Sequence, residues 1–323
     1  MNRTRKAWVS AALMALIAPA AVVATLSGPA SADADGKHRH DLDTYKREAW
    51  VEILGGQSVH QHLSCDANDI ALDGMWKVDA HDGDDREVKA TRSHRDATIN
   101  MWHFELTNAA AGRAQVKLFV TCLDKTTGER DDHVHALGLP VWTPAATTET
   151  ISAVGEVKTL TATCSGTDIP VAPGFAVTGG YARLLQSWPA TDTSWQFVFM
   201  SETAAGTIQA DVWCLPRTTS TVNGHSHLID ADLRPRPVDP GPFGVTETVP
   251  ANATGYSDYR ITSRPHDEGN VGAFKINHYA NIWYLGQDAQ GQVRGFRFNN
   301  TGGAGTESVT LAVWGFDKRT SRS

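Results

Sequence analysis

Apolar and polar residues alternate with a period of two in the most patterned stretches of this chain. In Trp195-Gln196-Phe197-Val198-Phe199 the aromatic residues 195, 197 and 199 fall on one face of a strand, because successive side chains point to opposite sides of a sheet. Trp102, Phe104 and Leu106 repeat that pattern. Long stretches with the 3.6-residue period of a helix are absent beyond residue 32, and many of the 28 glycines sit near turns. The pattern predicts an all-β protein whose aromatic faces form a core. The alternative use of such a face is an exposed aromatic platform for sugars.

The pattern recurs three times. Segment starts carry Glu48-Ala49-Trp50-Val51, Thr148-Glu149-Thr150-Ile151 and Thr246-Glu247-Thr248-Val249. Cys65 and Cys164 follow, 99 residues apart, and Ser263 stands a further 99 residues on. Aromatic strands come next, at Trp102-His103-Phe104, Trp195-Gln196-Phe197 and Phe296-Arg297-Phe298. Small-residue turns follow at Ala110-Ala111-Gly112, Ala204-Ala205-Gly206 and Gly303-Ala304-Gly305, which read as hairpin connections. Each segment then runs to Cys122, Cys214 or Gly315. The expected architecture is three tandem β-sandwich-like repeats over residues 33–143, 144–236 and 237–323, with a Pro-rich linker from Pro235 to Pro242 before the third.

The third segment lacks both cysteines together. Joint absence is expected when the two positions bond to each other, so the predicted pairs are Cys65–Cys122 and Cys164–Cys214, one of three connectivities open to four cysteines. The aromatic run Phe274, Tyr279, Trp283, Tyr284, Phe296 and Phe298 is expected to compensate the third segment by burial.

Residues 1–32 read as a secretory signal. Arg3, Arg5 and Lys6 precede an apolar stretch from Ala12 to Leu26, and Ala30-Ser31-Ala32 supplies a small-residue cleavage site. The stretch is too short and Ala-rich for a comfortable membrane span, and no later segment is apolar enough to be one. Removing the signal's three positive charges from a net charge of −7 leaves −10. That charge disfavours nucleic acid and anionic membranes as partners and is compatible with cationic ones; a cell-surface or glycan ligand is the expected partner class. Export and the four cysteines agree, since disulfides persist in oxidising compartments.

Candidate chemistry lies in the histidines. Three H-x-H pairs precede an apolar residue: His38-Arg39-His40 before Leu42, His133-Val134-His135 before Leu137, and His225-Ser226-His227 before Ile229. The second and third begin 11 residues after Cys122 and Cys214. On a strand, both imidazoles of a pair share a face and can serve one zinc, copper or nickel ion. Two ligands make a weak site, so a further ligand must come from Asp131, Asp132 or another pair in space. The plainer role of these residues is a solvated or hydrogen-bonded strand face. A fourth pair, His60-Gln61-His62, stands just before Cys65. The acidic run from Asp79 to Asp85 has a calcium-loop composition but lacks the closing Glu, and reads as a solvated loop. The third segment ends 8 residues after Gly315, without room for an H-x-H strand, so the unassigned N-terminal copy at His38–His40 is expected to pair with it and tie the chain ends together.

There is no G-x-S-x-G elbow, H-E-x-x-H, P-loop or dinucleotide fingerprint, and no catalytic residue is assigned. The second segment, with Cys164-Ser165-Gly166, Gly179-Gly180-Tyr181, Ser187-Trp188-Pro189, Trp195-Gln196-Phe197 and Val212-Trp213-Cys214, resembles exported actinobacterial β-repeat proteins built on C-P-x-G, G-G-G-[FY], S-x-P, W-x-[FV] and V-x-V-x-C. The resemblance implies a secreted β-sandwich-like domain and transfers no catalytic residues. Together these features point to a secreted, non-enzymatic extracellular or cell-surface binding protein of adhesion-like character. The alternatives are extracellular metal binding through the H-x-H pairs, with zinc or copper as the ion, and a secreted hydrolase with an unrecognised site.

Overall fold

The computed structural model describes residues 39–96, 100–234, 245–251, 256–262, 267–277, 281–290, 293–301 and 307–322. The predicted signal, His38, the Pro-rich linker, Ser263 and Tyr279 lie outside the described residues. The first segment contributes β1 (Thr44–Ile53), β2 (Ser58–Ser64), β3 (Ile70–His81), β4 (Val88–Arg95), β5 (Met101–Asn108) and β6 (Ala114–Leu123). Then come β7 (Val141–Pro144), β8 (Glu149–Ile151), β9 (Val157–Thr163), β10 (Ile169–Thr178), β11 (Ala182–Thr191), β12 (Ser194–Ser201), β13 (Gly206–Leu215), β14 (His227–Leu228) and β15 (Ala231–Arg234). The remainder are β16 (Val245–Val249), β17 (Ser257–Thr262), β18 (Asp267–Ile276), β19 (Ile282–Gln290), β20 (Val293–Asn300), β21 (Glu307–Asp317) and β22 (Ser321–Arg322). Among the described residues there is no α-helix. The acidic run ends in a single 3-10 turn, Asp85–Glu87, whose cap Asp84 accepts the Arg86 N–H at 3.0 Å.

The strands form three large antiparallel sheets, and each sheet joins two segments. The first runs β1-β6-β3-β19-β20-β17, the second β2-β5-β4-β10-β13-β7, and the third β15-β21-β18-β11-β12-β9; β8 also pairs with β13, and β16 with β21. Every segment therefore divides its strands between two sheets, and the three sheets link the segments in a ring. The seams are short ladders: Arg92↔Ala176 and Ser93↔Phe175 join β4 to β10, Gln186↔Lys275 and Ser187↔Phe274 join β11 to β18, and Lys77↔Gly286 joins β3 to β19. At the last seam side chains supplement the backbone. Arg294 donates to Thr121 Oγ1 at 2.8 Å, Arg297 to the Val78 carbonyl at 2.7 Å, and Lys77 to Asp288 at 2.7 Å.

The alternating aromatic positions face inward. Trp102, Phe104, Leu106, Trp195, Phe197 and Phe199 are buried in one cluster that draws on all three segments. Each such side chain contributes about 1.5–3 kcal/mol on burial. Two of these indoles keep their polar handle satisfied, Trp102 Nε1 donating to Ser93 Oγ at 3.1 Å and Trp195 Nε1 to Ser187 Oγ at 2.9 Å. Gly74 makes room for the first of these, because a Cβ there would stand 2.1 Å from the Trp102 ring. Disulfides join Cys65 to Cys122 and Cys164 to Cys214. Where the third segment has no disulfide, Phe274 stacks on Tyr284 at 4.1 Å, with Phe298 5.9 and 5.7 Å from them.

The first described residues meet the last segment of the chain. Leu42 N–H donates to the Lys318 carbonyl at 2.7 Å, Thr320 N–H to the His40 carbonyl at 2.9 Å, and His40 N–H to Thr320 Oγ1 at 3.2 Å. Asp41 and Arg319 form a β-bridge, and β22 pairs with β14. The N-terminal histidine segment thus pairs with residues 318–320 of the third segment, as expected. Leu42 is fully buried although it lies outside any named strand.

Two outcomes follow from this packing. Leu42→Ala is expected to lower stability by about 2–5 kcal/mol, the range for truncating a buried leucine, in chemical denaturation; a loss under about 1 kcal/mol would mean that the closure does not hold the fold. Replacing Cys65 and Cys122 together by serine is expected to cost about 4 kcal/mol on the chain-entropy model for a loop of this length, measured in the same way.

Candidate metal centre

Three two-stranded arms hang below the sheets, and each begins with a threonine. Thr127, Thr219 and Thr320 stand five residues after Cys122, Cys214 and Gly315. The Thr127 N–H donates to the His135 carbonyl and the His135 N–H returns a bond to Thr127 Oγ1, at 2.9 and 3.0 Å. Thr219 and His227 do the same at 2.9 and 2.9 Å, and Thr320 and His40 complete the set. Threonine fits because one residue both donates from its backbone and accepts at its hydroxyl. The residue two beyond each histidine, Leu42, Leu137 or Ile229, is buried and anchors the arm in the core.

Two arms turn back through two-residue hairpins. Arg130 and His133 exchange backbone bonds across Asp131 and Asp132, with φ of 51° and 61°. Val222 and His225 do so across Asn223 and Gly224, with φ of 50° and 81°. Positive φ at both central residues marks the turn type that Asn-Gly favours. The histidines sit on bridges and arm ends, and of them only His227 lies in a named strand, unlike the regular strand expected from the H-x-H spacing. The tight turn takes over the strand's role of aiming both rings one way.

The arms close a ring of backbone bonds. Gly128 N–H reaches the Asp41 carbonyl at 2.8 Å, Ser220 N–H reaches the Ala136 carbonyl at 2.8 Å, and β14 pairs with β22. Inside the ring His40, His135 and His227 are buried, with ring centroids 4.8, 4.9 and 4.5 Å apart in a near-equilateral triangle. His133 and His225 form a second, half-buried tier, each about 5 Å from rings of the first: His133 at 4.9 Å from His40 and His225 at 4.9 Å from His135. Ligand atoms of His40, His133, His135 and His225 all lie within 4.8 Å of one another. The further ligands that the sequence left open thus come from other H-x-H pairs. Asp131 offers its backbone carbonyl to His133 Nδ1 at 2.9 Å. His38 lies outside the described residues.

Second contacts set the tautomers. His40 Nδ1 donates to the Gly128 carbonyl at 2.9 Å, His135 Nδ1 to the Ser220 carbonyl at 2.8 Å, and His133 Nδ1 to the Asp131 carbonyl. A carbonyl only accepts, so in each neutral ring the proton is on Nδ1 and Nε2 carries a lone pair. This is the outer-contact pattern of metal-binding histidines. His135 Nε2 is buried with no hydrogen-bond partner. His133 Nε2 lies 3.3 Å from His225 Nε2, matching the edge of about 3.3 Å of a tetrahedral site with bonds of about 2.05 Å. Burial pushes the His135 imidazolium pKa down, helped by the neighbouring His40, His225 and His133, against the Ser220 bond that raises it.

His60 and His62 lie elsewhere. In the second sheet His62, His103 and His94 are direct cross-strand partners on β2, β5 and β4, with His103 rings 4.4 Å from His62 and 5.6 Å from His94. Sequence reading missed His94 and His103, whose neighbours are set by register. It also missed the three threonines, whose constant spacing from the second cysteine position was the available signal. Burial, then His62 and His94, pull His103 down to about 4.

His103 and His135 are therefore expected to titrate below the ordinary histidine value of about 6.5 in a pH series of imidazole NMR spectra of metal-free protein, His103 near 4. Because the unfolded chain takes these protons first, each contributes stability that is full above pH about 6.5 and falls as pH drops towards the folded value. Asp73 and Asp211, both raised by burial to about 6, act in the opposite sense between pH 6 and 3.8, so the comparison that isolates the histidine is wild type against His103→Gln. The wild-type advantage should shrink on acidification below pH 6.5; an advantage that grows would contradict the buried, neutral ring. No family model and no curated protein matches the chain, so its function is argued from the geometry of this histidine cluster.

Proposed function

We propose that this is an extracellular protein that holds a divalent transition-metal ion between its three arms, with His40, His133, His135 and His225 as ligands and His227 completing the inner triangle. One observation carries the reading: the buried Nε2 of His135 has a lone pair and no partner, in a ring already oriented by a carbonyl. Leaving such an atom unpaired costs about 1–3 kcal/mol, which a metal bond removes. An all-imidazole donor set suits zinc, copper or nickel over calcium or magnesium. The two disulfides fit an oxidising compartment; the predicted signal over residues 1–32 makes secretion part of the proposal. The ion would join the arm formed by His40 and Thr320 to the other two, so metal binding and fold closure are one event.

A second, non-enzymatic surface-binding role draws support from the edge strand β7 and its approach, where Leu139, Val141 and Trp142 are exposed.

Protein stripped with chelator and titrated with Zn²⁺, Cu²⁺ or Ni²⁺ is expected to take up about one equivalent, and its melting temperature should rise by what about 3–4 kcal/mol produces at 100–1,000 times Kd. His135→Ala should weaken binding by at least about tenfold, the lower end for loss of a metal-site group. Elemental analysis without metal after loading, together with unchanged melting, would overturn the proposal.

A further inference from the structure

A second site lies at the seam between the first and second segments, on the strands β4, β10, β13 and β7. It is a cavity of about 470 Å³, within the usual range for small-molecule sites of about 300–1,000 Å³. Its position follows from one residue. Lys77, Ala176 and Lys275 each stand twelve residues after Cys65, Cys164 and Ser263, and their register partners Lys117, Gln209 and Thr310 each stand five before Cys122, Cys214 and Gly315. At two seams a lysine fills the place: Lys275 Nζ lies 4.4 Å over the Trp188 ring, and Lys77 Nζ bonds Asp288 at 2.7 Å. At the third, Ala176 leaves it open.

The open space is lined by buried groups with unmet bonding capacity. Arg95 is 2% exposed, its guanidinium 3.6 Å over the Trp213 ring, and its Nε and Nη1 have no hydrogen-bond partner. Among the described residues no carboxylate stands within ion-pair distance of it. Asp211, 7% exposed, lines the cavity beside Trp142, and its Oδ1 is unpartnered. Trp213 Nε1 is also buried and unpartnered. Buried polar groups are normally paired, and several converging on one cavity mark a place where a ligand supplies the partners. The missing pieces are acceptor oxygens with negative charge for Arg95 and a hydroxyl donor for Asp211 Oδ1. Trp142, 45% exposed and placed opposite Trp213 by the β7–β13 ladder, offers a flat wall for a ring. The Arg95 guanidinium already feels the Asp211 carboxylate across the cavity, so the negative charge a ligand adds must stay small; a carboxylate adds one charge and a phosphate monoester more.

We propose that this cavity binds a uronate, a hydroxylated sugar ring bearing a carboxylate, with the carboxylate on Arg95, a ring hydroxyl on Asp211 and the ring against Trp142. The site shares no residue with the histidine cluster and does not depend on metal there.

The test is calorimetry and tryptophan fluorescence with D-galacturonate and its short oligomers, in EDTA so that no metal-held carboxylate contributes. D-galactose and acetate are the reference ligands, each presenting half of the recognised chemistry. Binding of the uronate at least about tenfold tighter than either is the expected result. Ala176→Lys should abolish it while melting stays close to wild type, because lysine already occupies this place at the other two seams. Arg95→Gln should weaken it at least about tenfold. The proposal is overturned if the uronate does not bind, if galactose or acetate binds as tightly, or if Ala176→Lys leaves binding intact.

Discussion

Backbone hydrogen bonding between segments is the constraint on which the rest of this structure depends. Each segment carries strands that its own partners cannot cover, and an uncovered strand edge leaves buried donors and acceptors without partners. The solution is reciprocal: β4 of one segment takes β10 of the next, β11 takes β18, and β19 returns to β3. The ladders at these seams are only one or two residue pairs long, so buried side chains add to them, as Arg294 and Arg297 do where the third segment meets the first. A ring closed in this way has no free end from which to fray, and Leu42 in the core with the Thr320–His40 exchange fastens the last gap.

The histidine cluster stands where that closure brings the arms together. Three arms that must end near one another bring three identical exchanges, Thr127–His135, Thr219–His227 and Thr320–His40, to one place. A core designed for stability alone would fill such a place with leucine. Imidazoles there forgo hydrophobic burial and leave His135 Nε2 unpaired, a cost that polar groups at a binding site commonly carry. The carbonyls of Gly128 and Ser220 then decide which nitrogen is available, so the backbone ring sets the chemistry of the rings inside it.

The seams show the same economy of means. A common register places a lysine at two of them, and its long stem and charge close the surface over an aromatic ring or beside a carboxylate. A single shortening to Ala176 opens the third and exposes Arg95, Asp211 and Trp213 to a cavity, without altering the ladder that joins β10 to β13. The difference between Ala176 and the lysines at the same ladder positions is what sets this seam apart.

The sequence by itself determined the elements and their faces. The alternation through Trp102, Phe104 and Leu106 is a local property of a strand against a core, and local patterns are legible without a fold. The joint absence of two cysteines from the third segment pointed to the pairs Cys65–Cys122 and Cys164–Cys214, and the H-x-H spacing singled out His40, His133, His135, His225 and His227. Only the tertiary structure decided that these pairs converge, that His60 and His62 belong with His94 and His103 instead, and that Arg95 and Asp211 share a cavity. Those outcomes rest on which strand edge finds which partner across tens to hundreds of residues, and the energy that selects the pairing is distributed over ladders, seams and a common core, so no short stretch of sequence contains it.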